Sequence, residues 1–144
     1  MPIRAIVYAS QLAPQTSEAH FSRLLADAAR FNRMAGVTGV LLFDGRRFLQ
    51  YIEGPEDGIG SVYPRITSAS SHVDVVELAR GPVCSRLFPN WAMHDLAVDA
   101  LELDRVIAAD WAALLRSDPS GAEPGEGLRR LLELARRAGL ALLP

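Results

Sequence analysis

Tyr8, Asn32 and Gln50 are the residues of this chain whose types and spacing invite chemistry. Gln50 lies in Arg46-Arg47-Phe48-Leu49-Gln50-Tyr51-Ile52-Glu53-Gly54, which alternates as a β-strand does. Residues two apart share a strand face, so Gln50 sits with Phe48 and Ile52 on what should be a core face. A buried primary amide brings two donors and an acceptor, and leaving them unpaired costs about 1–3 kcal/mol each. Tyr8 shares its own strand face with Ile6 and Ser10, and Asn32 ends a helical stripe of Phe21, Leu25 and Ala28. Each has an ordinary reading. Tyr8 can be a core aromatic with its hydroxyl at the edge, Asn32 a helix C-terminal residue, and Gln50 an amide bonded to a backbone carbonyl. Converging on one pocket, a phenol and two amides around an apolar cleft suit a flat heteroaromatic ligand with imide-type edges. They do not suit hydrolysis, and the sequence carries no Ser-His-Asp arrangement, Gly-rich phosphate loop or HExxH.

The elements that must position these three residues follow along the chain. Residues 2–9 predict a first strand. Thr16 and Ser17 are N-cap candidates for a helix over 18–34, which Gly36 stops. Val37 to Phe43 predicts a buried strand, Asp44-Gly45 a hairpin turn, and Gly54-Pro55 the end of the Gln50 strand. Residues 56–68 predict a weak second helix, because Gly58, Gly60 and Pro64 all disfavour a helix interior. Val73 to Ala79 predicts a fourth strand, Gly81-Pro82 a turn, and residues 86–97 a fifth strand with Trp91 and Met93 on one face. Beyond Asp99, residues 100–116 and 126–140 carry helical spacing, separated by Asp118-Pro119-Ser120-Gly121. The order fits an α+β, ferredoxin-like split βαβ fold. It predicts a five-stranded mixed sheet, two helices on one face and a C-terminal helical extension. The first and third strands are then central neighbours, which brings Tyr8 within reach of Gln50.

The bulk properties narrow the class. A chain of 144 residues suits one domain with a small helical extension. A net charge of −2 gives no reason to expect nucleic acid or an anionic membrane surface. The single cysteine, Cys84, precludes an intramolecular disulfide and fits a reducing compartment. With no signal peptide and no apolar run of membrane-spanning length, the expectation is a cytoplasmic protein. His20 and His94 are isolated and His72 has no metal partner in view, so no metal site is expected.

Five pieces, in order and at matching spacing, resemble the BLUF family of blue-light sensors that use FAD, over about residues 3–98. They are Ile6-Val7-Tyr8-Ala9-Ser10; Ala29-Arg30-Phe31-Asn32 with Gly36-Val37-Thr38-Gly39; Phe48 to Gly54; Ser71-His72; and Arg86-Leu87-Phe88-Pro89-Asn90-Trp91-Ala92-Met93. The resemblance implies a flavin-binding domain over residues 1–98 and a two-helix extension over 99–144, packed on the sheet or on partners. It implies that the flavin ring lies between the two helices, with Asn32 on its O4/N3 edge. Gln50 would bridge Tyr8 and the N5/O4 edge, Arg65 match a basic ring contact, and Leu25 and Ile66 supply apolar contacts. Light would draw an electron and a proton from Tyr8 through Gln50, which rearranges its hydrogen bonds. Trp91 and Met93 match positions that carry the signal onward. FAD is the implied cofactor, with FMN or riboflavin as alternatives because the pocket mainly holds the ring. Phe31, Ala69 and Ser71 depart from the family pattern. The expected output is a light-controlled interaction, through a homo-oligomer and an unidentified downstream protein, without enzymatic activity. A flavin-free adaptor keeping the same fold is the second reading, motivated by the altered second-helix wall.

Overall fold

The computed structural model describes residues 2–69, 72–111 and 125–138. Its elements, in chain order, are β1 (Ile3–Leu12), α1 (Glu18–Ala35), β2 (Thr38–Phe43), β3 (Arg47–Pro55), α2 (Glu56–Thr67), β4 (His72–Val83), β5 (His94–Ala97), α3 (Ala100–Ala108) and α4 (Glu126–Arg137). Local chemistry explains the boundaries. The Ser17 hydroxyl accepts the His20 N–H at 3.1 Å and starts α1. Gly36, at φ 74°, ends it in the left-handed conformation that glycine adopts without strain. The Asp44 carboxylate accepts the N–H groups of Arg46 and Arg47 and closes the β2–β3 hairpin.

The five strands form one sheet in the order β4-β1-β3-β2-β5. β1 runs antiparallel to β3 and β4, β2 antiparallel to β3, and β5 parallel to β2. Alternation along the central strands divides the core in two. Ala5, Val7, Val40, Leu42, Leu49 and Tyr51 face one side, where Leu103 and Val106 of α3, Trp111, and Leu131 and Ala135 of α4 cover them. Ile6, Val37 and Ile52 face the other, under Ile59 and Val62 of α2, with Phe31 and Ala35 of α1 packed against them. The sheet is thus sandwiched between α1–α2 and α3–α4. Among the described residues no helix is long and apolar enough to cross a membrane.

Three expectations change. Gly81-Pro82 does not turn the chain; β4 continues through it to Val83, pairing Gly81 with Ala5 and Pro82 with Arg4. β4 is the edge strand, where a proline is tolerated. The fifth strand is limited to His94–Ala97, so Trp91 and Met93 precede it. Residues 86–93 are an irregular connection, since the Leu87 and Phe88 N–H groups bond a side-chain carboxylate, that of Glu53, and the Trp91 N–H turns back to the Phe88 carbonyl. The helix expected over 100–116 ends at Ala108, with Ala109 extended and the Trp111 indole N–H returned to the Val106 carbonyl at 2.9 Å. Leu114, Leu115 and Asp118 to Gly121 lie outside the described residues, as does Ser71.

The α2 helix forms despite its glycines and proline. A Cβ at Gly58 would stand 2.3 Å from the Ala35 carbonyl oxygen, so glycine there permits the close approach of α1 and α2. Pro64 sits within the last turn, and its carbonyl collects the Ser68 N–H and the Thr67 and Ser68 hydroxyls.

Candidate functional site

Between α1, α2 and the sheet lies a cavity lined chiefly by apolar side chains, including Leu25, Ala28, Phe31, Val62 and Ile66. Into it turn the groups singled out from the sequence: Tyr8, Asn32, Gln50 and Arg65. Phe43 and Phe48 stack at one side and Phe21 packs tilted against both, with ring centroids 4.7–5.4 Å apart.

The floor of the cavity is the β1–β3 pairing. Tyr8 and Gln50 are direct register partners, and both are buried. The Tyr8 hydroxyl donates to Gln50 Oε1. Burial pushes the Tyr8 phenol far above its ordinary pKa, and neighbouring Tyr63 adds to the rise. Tyr8 is therefore a protonated donor at neutral pH. Gln50 Nε2 donates in turn to the Met93 sulfur at 2.8 Å. These neighbours orient the amide. A thioether only accepts, and weakly, so the NH2 end belongs against Met93 and the oxygen against the phenol. The opposite orientation sets two acceptors against each other but leaves Tyr8 usable, because a phenol also accepts. The acceptor strengths at its two ends therefore set the orientation of the Gln50 amide.

Asn32 is the buried polar residue of α1, 2% exposed, and it acts twice. Its backbone carbonyl accepts the Val37 N–H in the helix cap, and its side-chain Nδ2 donates to the Ala92 carbonyl at 3.1 Å. The ordinary reading of Asn32 as a helix C-terminal residue holds, and its side chain also lines the cavity. The Arg65 guanidinium lies over the Phe31 ring, 4.2 Å from its centroid, as a cation–π contact at the cavity wall. Phe31 thus stacks with Arg65 where a polar ring contact was expected from the family pattern.

Trp91 and Met93 separate. Met93 lines the cavity against Gln50. Trp91 packs with the opposite core, stacked between Phe88 (5.7 Å) and His94 (4.0 Å). Equal parity placed both on one face of an expected strand, but no strand exists there to impose it.

Two further residues were not among the site candidates; His72 was expected only to cap or pack at the start of the fourth strand, and it packs there. His72 lines the cavity at the start of β4, its Nδ1 3.2 Å from the Ser10 hydroxyl and its ring edge-on to Tyr8 and Phe48. Burial lowers its pKa, while a bond with the Ile66 carbonyl acts the other way. Ser10, sharing a face with Tyr8, was the available signal. Glu53 is 0% exposed and faces the other layer, where its carboxylate meets four donors. Burial pushes that carboxyl up, against the lowering effect of those bonds. Its place on the buried face with Tyr51 was readable; its partners, 34 and 35 residues away, were not.

Comparison with known proteins agrees with this geometry. Residues 3–94 match the family model described as BLUF, sensors of blue-light using FAD. A photoactivated adenylate cyclase subunit alpha-like protein of Euglena gracilis is 32% identical over 101 residues, 67% of this chain and 10% of that protein. The blue light- and temperature-regulated antirepressor BluF of Escherichia coli K12 is 29% identical over 107 residues, 74% of this chain and 27% of that protein. The solved structure of Klebsiella pneumoniae BlrP1 with FMN and cyclic diGMP superposes with a TM-score of 0.61 at 35% identity, over 66% of this chain and 26% of that one. The chain therefore spans between a tenth and about a quarter of the length of these relatives. A phenol hydrogen-bonded to a buried amide, under two helices and beside a second amide, coincides with a family match across 3–94, and the chain belongs to the BLUF family of flavin-binding blue-light sensors.

Proposed function

We propose that this chain binds a flavin in the α1–α2 cavity and switches the Tyr8–Gln50 hydrogen bond in blue light. The donor set suits such a ligand. The cavity offers flat apolar walls from Leu25 and Ile66, the amides of Asn32 and Gln50 for an imide-type edge, and the Arg65 cation for a carbonyl oxygen. FAD and FMN are both compatible, because the residues named are those that would hold the ring. The solved structure of the related BlrP1 with FMN supports including that shorter flavin.

When bound, the flavin supplies the absorption of blue light and an excited state able to take up an electron and a proton. Tyr8 is the oxidisable group of the floor, and its proton leaves along the bond to Gln50 Oε1. With a flavin in the cavity, Gln50 would accept that proton at oxygen and pass one from Nε2 to the reduced ring, so that its donor and acceptor ends exchange. Rotation of the amide after that exchange would turn its oxygen end toward Met93. The observation that carries this reading is the Tyr8–Gln50–Met93 chain of hydrogen bonds on the cavity floor.

Residues 1–98 act as the sensor and 99–144 as the extension that passes the change on, through α3 and α4 on the opposite face of the sheet. The output is an altered contact with a second copy or a downstream protein rather than catalysis by this chain. Regulatory action is what the antirepressor's name states, and cyclase activity what the Euglena protein's states, each in a far longer chain. Purified protein mixed with FAD or FMN, desalted, and examined for bound oxidised-flavin absorption tests the reading. Retained flavin with a reversible red shift on illumination is expected. Colourless protein from both mixtures contradicts it and favours a flavin-free adaptor.

A further inference from the structure

Glu53 stands three residues beyond Gln50 on β3, on the opposite face of the sheet. Its buried carboxylate accepts the N–H groups of Leu87 (2.8 Å) and Phe88 (2.7 Å) and the hydroxyls of Tyr51 (3.0 Å) and Thr38 (3.2 Å). Burying a carboxylate is costly, and an apolar residue would fill the same space more cheaply. The four donors offset that cost by fixing one particular segment. Arg86 secures the same corner, donating to Thr38 Oγ1 at 2.9 Å and to the Gly36 carbonyl at 2.7 Å.

The other end of that segment is tied to the cavity. The Trp91 carbonyl accepts the Gly39 N–H at 2.7 Å, the Ala92 carbonyl accepts from Asn32, and Met93 accepts from Gln50. Residues 86–93 therefore pass from one face of the sheet to the other, and both ends are held by β3: at Glu53 on the helix-extension side and at Gln50 on the cavity side. Between the ties, the Trp91 ring is clamped between Phe88 and His94 in the core shared with α3 and α4. A segment tied only at Met93 would absorb a change there by relaxing along its length. Tied at both ends, it must transmit the change to the residues between.

We propose that Glu53 is a positioning residue for the light response: the fixed anchor against which rearrangement of Gln50 displaces residues 91–93, so that Trp91 reads out on one face what happens on the other. This rests on the reading of Gln50 as the switch. It gives a buried acid on the far face a role in the response that its packing alone does not require.

The test is hydrogen exchange, in darkness and under blue light, on the flavin-loaded full chain and its Glu53→Gln variant. The amide side chain keeps the size but brings N–H groups to a site built from donors. The expected result is an unchanged flavin spectrum and light-induced shift, because Tyr8, Gln50 and Asn32 are untouched. Dark exchange at Leu87 and Phe88 rises by about tenfold or more, the scale of one lost charge-assisted hydrogen bond. The light-minus-dark difference over residues 91–97, present in the wild-type chain, disappears. A purely structural Glu53 would raise the dark exchange and leave that difference intact, which overturns the proposal. Should Glu53→Gln lose flavin, Glu53→Asp draws the carboxylate back from the Leu87 and Phe88 N–H groups; a light-minus-dark difference equal to wild type overturns the proposal there too. A wild-type chain that shifts its flavin spectrum but shows no exchange difference at 91–97 overturns the anchor and leaves the switch standing. A wild-type chain with no shift overturns both.

Discussion

Tyr8 and Gln50 face each other across adjacent antiparallel strands, with the phenol hydroxyl donating to the amide oxygen. The pairing is a matter of register. A slip of one residue would turn one of the two side chains to the opposite face of the sheet. Met93 completes the arrangement by giving the other end of the Gln50 amide an acceptor too weak to lock it.

Replacing that acceptor should therefore change timing more than occupancy. Met93→Leu keeps an apolar side chain of similar volume but removes the sulfur from Gln50 Nε2. The dark arrangement loses up to about 1 kcal/mol of hydrogen bonding. The light-induced shift should still form, and its decay in darkness should slow by about two- to fivefold. Decay of flavin absorbance after a light pulse measures it, and a rate equal to wild type would show that the sulfur contact does not hold the dark state.

Asn32→Ala removes the donor from the Ala92 carbonyl and an amide from the cavity wall. A loss of about 1–2 kcal/mol in folding stability is expected from the vacated bond. Flavin affinity should fall by about tenfold or more, as measured by equilibrium dialysis with FMN and FAD. Unchanged affinity would remove Asn32 from the binding site and leave its side chain as a tie to Ala92 only.

His72 gives the fold an acid-sensitive point. Burial holds its pKa below the ordinary value, so the folded chain resists a proton that the unfolded chain binds below about pH 6.5. The stability this neutral ring contributes is complete above that pH and is lost progressively as pH falls toward the depressed folded value. The melting temperature of wild-type protein should therefore drop between pH 7 and pH 5.5, and His72→Gln should flatten the slope. An equally steep slope in the variant would place the sensitivity elsewhere.

Attachment of the extension can be probed without touching the cavity. A Cβ on Gly127 would lie 2.4 Å from Trp111 Cδ2, inside the indole against which α4 starts. Gly127→Ala should cost about 1–3 kcal/mol through overpacking. That corresponds to a fall in melting temperature of about 3–9 °C for a chain of this size. The flavin shift should persist, so a normal melt or an abolished shift would each contradict separate sensing and covering layers.

Much of this arrangement was legible in the sequence, for identifiable reasons. Strand alternation put Gln50 and Tyr8 on core faces, the spacing from Phe21 put Asn32 at the end of an apolar stripe, and the split βαβ order brought β1 beside β3. What failed were segments governed by distant partners. Residues 86–93 carry a strand-like composition, yet the Glu53 carboxylate and the Asn32 and Gln50 amides take their polar groups, and Trp91 and Met93 diverge to opposite faces. Gly81-Pro82 reads as a turn because local propensity cannot register that its strand lies at the sheet edge. The glycines of α2 weaken a helix taken alone, and Gly58 makes sense only once the Ala35 carbonyl is placed above it.

The central claim is that the Gln50 amide couples Tyr8 to a bound flavin. The most direct measurement is the visible absorption spectrum of flavin-loaded wild-type and Gln50→Leu protein, before and after blue light. The account predicts that both retain flavin, that the wild type shows a reversible red shift, and that the leucine variant shows none. A normal reversible shift in Gln50→Leu contradicts it.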